Sequence, residues 1–175
     1  MEQITTVVQG FRDHHKKLKG LFEQLEAAPA RASEMTPGVV RELCMELDIN
    51  FQLKEKYLYP KLMTLLSDVS EQAIIRDRLG DIEQCKKLLS EIFESNQKRV
   101  PQKSKLSELT VQTVELFDRE EKEIFPKAQS FSEIEDLSEQ FSQERQKISS
   151  LPKYKDSHAE EVQNPQGGEQ KRIAS

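Results

Sequence analysis

Phe51-Gln52-Leu53-Lys54-Glu55-Lys56-Tyr57-Leu58-Tyr59-Pro60 is the stretch on which the fold turns, because it returns as Phe117-Asp118-Arg119-Glu120-Glu121-Lys122-Glu123-Ile124-Phe125-Pro126. An aromatic residue, a glutamate, a second aromatic and a proline stand in register in the two copies. Each copy closes a run of apolar residues spaced by three and four, the pattern of an amphipathic helix. The chain therefore reads as two helix pairs related by duplication.

Working outward, the first helix is expected from about Gln3 to Ala28, with Ile4, Val8, Phe11, Leu18, Phe22 and Leu25 on one face and Ala28-Pro29-Ala30 ending it. Thr36-Pro37 signals the second start, a capping residue followed by proline in the first turn. Val39, Leu43, Leu47, Leu58, Leu62 and Leu65 carry that helix to about Leu66, and Pro60 inside it predicts a kink, since proline lacks an N–H and crowds the carbonyl four residues back. Ile75, Leu79, Ile82, Leu89 and Ile92 make a third helix between Ser67-Asp68 and Ser95-Asn96. A fourth, capped by Ser104, carries Leu106, Leu109, Leu116 and Ile124, with Pro126 placed like Pro60. Ser132 to Ile148 predicts a shorter fifth helix packed on the outside through Ile134, Leu137, Phe141 and Ile148. The expectation is an all-α, up-down-up-down four-helix bundle over 1–150, and a tail over 151–175 whose lack of large apolar residues is the composition of a disordered segment.

Composition narrows the function. Charged residues make up 33% of the 175 and hydrophobic ones 35%, with six Gly and seven Pro, a balance suited to long solvated helices and one domain. A net charge of −5 argues against a nucleic-acid partner, which needs a concentrated basic surface. No apolar run approaches the roughly 18 residues of a membrane span, and the start Met1-Glu2-Gln3-Ile4 has no basic-then-apolar leader pattern. Cys44 and Cys85 lie within helical patterns without metal-site spacing and read as reduced, buried small hydrophobes. A cytoplasmic protein is expected, either monomer or homodimer through the fifth helix.

Extending each apolar stripe to its middle gives Phe11-His15-Leu18 on the first helix, Leu47-Asn50-Lys54-Leu58 on the second and Leu116-Glu120-Ile124 on the fourth. Four polar side chains thus turn inward, and buried polar groups need partners or a metal. A Lys54–Glu120 ion pair, with Asn50 and His15 hydrogen-bonded to it, is the expected arrangement. His14 reads as lying beside the core stripe, His158 as solvated in the tail, and Tyr57 and Tyr59 as packing residues around Pro60.

From residue 11 to 126 the sequence resembles the hemerythrin-like (HHE cation-binding) family. Asp13-His14-His15-Lys16-Lys17-Leu18 is similar to the family's first-helix segment, with His15 at the ligand position. Asn50 to Lys54 before Tyr59-Pro60 resembles the family's His-x-x-x-Glu segment with Asn50 for His and Lys54 for Glu. Asp81-Ile82 resembles the acidic-His pair with Ile82 for His, and Leu116 to Glu120 before Phe125-Pro126 the second His-x-x-x-Glu with Leu116 for His. Of these six positions only His15 and Glu120 keep the ligand type that the resemblance implies.

Two function classes follow. The first is a metal-free, non-enzymatic binding or regulatory protein acting through its surface on an unidentified protein partner; no cofactor is expected in it. The alternative is residual metal binding, with iron held by His15, Glu120 and groups such as His14, in oxygen, nitric-oxide or iron sensing. A metal-free catalyst lacks support, since no nucleophile-base pair stands at useful spacing and no Gly-rich phosphate loop occurs.

Overall fold

A computed structural model describes residues 6–28, 36–100 and 102–155. Helix α1 spans Val7–Ala27. It starts at Val7, where the Thr6 hydroxyl accepts from the Gln9 backbone N–H and caps the first turn. Helix α2 begins at Thr36, runs as Thr36–Leu53, widens into a π-helical turn over Lys54–Leu58, and finishes as Tyr59–Leu65. Asp68 caps α3, Val69–Gln97, through its side chain and the Ser70 N–H. Helix α4 runs as Lys103–Arg119, a second π-helical turn over Glu120–Ile124, and Phe125–Ala128. Gln102, not Ser104, occupies its cap position.

Polar contacts across the helix seams fix the topology. His14 meets Glu46 while Lys17 meets Glu42; Lys86 meets Glu55 while Asn96 reaches the Pro37 carbonyl. Lys105 meets Glu91 while Arg119 meets Asp81, and Arg12 meets Gln129 while Lys19 meets Asp118. In every seam the number rises on one helix as it falls on the other, so each neighbour is antiparallel and the four helices close as an up-down-up-down bundle. Leu18, Leu43, Leu47, Leu62, Ile75, Ile82 and Leu109 fill its centre with no exposed surface.

The fifth helix starts more tightly than its sequence suggested. Ser132–Leu137 forms a 3-10 segment before α5, Ser138–Ser149, which lies along α2. The chain stays structured beyond the boundary placed at 150, where Pro152–Tyr154 makes a further 3-10 turn and the Tyr154 hydroxyl donates to Asp48. His158 and the rest of the tail from 156, like residues 3–5 and 29–30, lie outside the described residues. Among the described residues no helix is long and apolar enough to cross a membrane.

Both prolines sit just after a widened turn. There the Tyr59 N–H reaches the Lys54 carbonyl and the Phe125 N–H the Glu120 carbonyl, each spanning five residues. The extra residue absorbs the strain that a proline ring imposes on the preceding turn, and keeps Leu58, Tyr59 and Leu62 on the buried face after Lys54.

Candidate functional site

The two π-helical turns open at Lys54 and Glu120, which occupy equivalent places in the repeat and carry opposite charges. Both are fully buried, and Lys54 Nζ donates to Glu120 Oε2 at 2.5 Å. From α1, His15 brings its Nε2 to 3.1 Å from the same Nζ and 3.3 Å from Glu120 Oε2, while its Nδ1 lies 2.9 Å from Glu121 Oε1. An ammonium has only protons to offer, so His15 Nε2 accepts and Nδ1–H donates to Glu121, which makes the imidazole neutral. The ring stacks on Phe117 at 3.7 Å between centroids. The Tyr59 hydroxyl donates a short hydrogen bond to Glu120 Oε1, so both carboxylate oxygens are satisfied.

Burial disfavours every charge here, and the pairing decides what survives. Desolvation pushes the Glu120 carboxyl up, but Lys54 and His15 outweigh it and hold it below the usual range. Burial pulls the Lys54 ammonium below its usual value, opposed by Glu120. Burial, with Lys54 second, also lowers the His15 imidazole, and burial keeps the Tyr59 phenol protonated far above its ordinary range.

A second network adjoins the first. His14, read from sequence as lying beside the stripe, is buried, and its Nε2 meets Glu46 Oε2 at 2.7 Å. Lys17 donates to Glu46 Oε1 at 2.6 Å, and Arg145 of α5 lies 3.4 Å from Glu46 Oε2 and 3.3 Å from His14 Nδ1. Asn50 departs from its expected place. Its Nδ2 faces His14 Nδ1 at 3.3 Å instead of the Lys54–Glu120 pair, and its Oδ1 has no hydrogen-bond partner.

Ile82 and Leu116 are buried in the apolar core. The structure thus gathers His15, Lys54 and Glu120 at one point and sets Asn50 on the neighbouring network. Sequence reasoning missed Tyr59, Glu121, Glu46 and Arg145. Tyr59 had a signal in its repeat partner, Phe125, since the one hydroxyl added to the pair stands level with the one carboxylate. Cys44 and Cys85 are free and buried, their thiols pushed up to about 12 and about 11, chiefly by burial.

The residues present do not fit two bridged irons. Isoleucine and leucine have no donor atoms, and a lysine ammonium stands within hydrogen-bond distance of the remaining carboxylate and imidazole. Among the described residues no three His, Cys, Asp or Glu side chains converge as a metal site.

A family model for the hemerythrin HHE cation-binding domain matches residues 6–128, which span all four bundle helices. No curated protein and no solved structure matches the chain. With most of its length under that model, the chain belongs to the hemerythrin HHE cation-binding domain family.

Proposed function

We propose that this protein is a non-enzymatic binding or regulatory member of its family that works without a metal, in the cytoplasm, through its surface. The observation that carries the reading is the Lys54 ammonium, held 2.5 Å from Glu120 and 3.1 Å from His15. A fixed positive charge at that point repels a metal cation and supplies the compensation a buried carboxylate requires. Catalysis finds little support in the same place. His15 is committed to Lys54 and Glu121, both oxygens of Glu120 are taken, and all these groups apart from Glu121 are buried.

The test is metal content by mass spectrometry on protein purified without chelator, then offered ferrous iron anaerobically and exposed to air. The expected outcome is no stoichiometric metal and no oxo-bridge absorption. About two irons per chain, the complement of the family's carboxylate-bridged centres, would overturn the reading in favour of iron, oxygen or nitric-oxide sensing.

A further inference from the structure

Lys54 Nζ is surrounded in a particular way. Glu120 Oε2 and His15 Nε2 accept from it, the Phe117 ring centroid lies 4.7 Å away, and the Phe11 ring centroid 5.6 Å away. An anionic oxygen, a neutral nitrogen lone pair and two aromatic faces match the three donors and diffuse positive charge of a primary ammonium. A divalent metal would use the oxygen and the nitrogen but gain no inner-shell ligand from a phenylalanine. The stem of Lys54 is enclosed as completely as its head.

We infer that the centre of this bundle is an ammonium-recognition site whose ligand is tethered by the Lys54 side chain, so that shortening it makes a receptor for a free primary alkylammonium ion. This rests on the metal-free reading above. Lys54→Ala removes Cγ, Cδ, Cε and Nζ, the heavy atoms of n-propylammonium, so that ion restores both the charge and the packing of the stem. Ethylammonium leaves a void, and tetramethylammonium has no proton to give Glu120 or His15.

The experiment measures the melting temperature of Lys54→Ala in n-propylammonium chloride, in sodium chloride of equal ionic strength, and with cobalt(II). Lys54→Ala should melt roughly 10 °C below the unmodified protein. n-Propylammonium should restore at least half of that loss in a saturable way, ahead of ethylammonium and tetramethylammonium. It should leave the unmodified protein and Lys54→Met unmoved, since their side chains fill the space. No shift, or the same shift in all three proteins, overturns the inference. If Lys54→Ala is unfolded alone, recovery of helical circular dichroism on refolding with the amine supports it, and a chain still unfolded overturns it. A response to cobalt(II) but not to the amine also overturns it, leaving the metal-free state of the unmodified protein intact. Stoichiometric iron in the unmodified protein instead sinks the metal-free reading, however Lys54→Ala behaves.

Discussion

Lys54→Met and Glu120→Leu should each destabilise the bundle by about 3–5 kcal/mol, because each strands a buried partner charge. The double substitution should recover most of the loss, since an apolar pair of similar volume asks for no compensation. Chemical denaturation of all four proteins measures the coupling, and single variants as stable as the parent would mean that the charges are not paired. Lys54 and Glu120 were legible as inward-facing because both continue an apolar stripe. Asn50 was read as part of the same group, yet its amide turns to His14. Counting along a helix gives the face of a side chain but not which of two adjacent networks its rotamer joins. The adjacent histidines show the same limit: His15 presents Nε2 as acceptor to Lys54, while His14 presents Nδ1 as acceptor to Asn50 and donates from Nε2 to Glu46. That division needs the partners' positions.

At the scale of the element, the prolines predicted a kink and the helices answer with a wider turn. The sequence carried the stripe on through Leu58, Leu62 and Leu65, as a regular helix would, whereas in the structure Leu58, Tyr59 and Leu62 are buried after Lys54 and Leu65 is only half-buried. Widening by one residue keeps the face aligned, and this makes a deletion informative. Removing exposed Lys122 from the second π-helical turn should narrow it to an α-turn that keeps Ile124, Phe125 and Ala128, counted without it, three, four and seven positions beyond Glu120, on one face, at the cost of the strain Pro126 then imposes on that turn. Removing Lys87, equally exposed but in the regular part of α3, should turn Leu89 and Ile92 away from the core by roughly 100°. Circular dichroism and thermal melts of the two deletions decide it. Comparable damage from both would mean that the π-helical turn is not a removable insertion.

Taken whole, the molecule keeps the duplicated plan that its sequence announced, but places much of its buried charge around α1, α2 and α5. The fifth helix was legible from Ile134, Leu137, Phe141 and Ile148, whereas its role in closing the His14–Glu46 network through Arg145 was not, because a contact between residues so distant in sequence leaves no periodic trace. That distribution predicts acid lability. Burial holds His14 and His15 below the ordinary 6.5, so an unfolded chain takes up protons first and stability falls as pH drops below about 6.5. Glu46 adds a second step: desolvation raises its carboxyl, but His14 and Lys17 outweigh that and hold it at about 2 against an ordinary 4.5. Its contribution is present above 4.5, is lost as pH falls through about 2, and amounts to no more than about 3 kcal/mol. Urea denaturation at about pH 7, 5 and 3 should show falling midpoints, and Glu46→Gln should flatten the step between the last two because a glutamine does not titrate. Equal midpoints from neutral to acid would mean that these groups are solvated, and the buried polar layer would then not be what holds α1, α2 and α5 together.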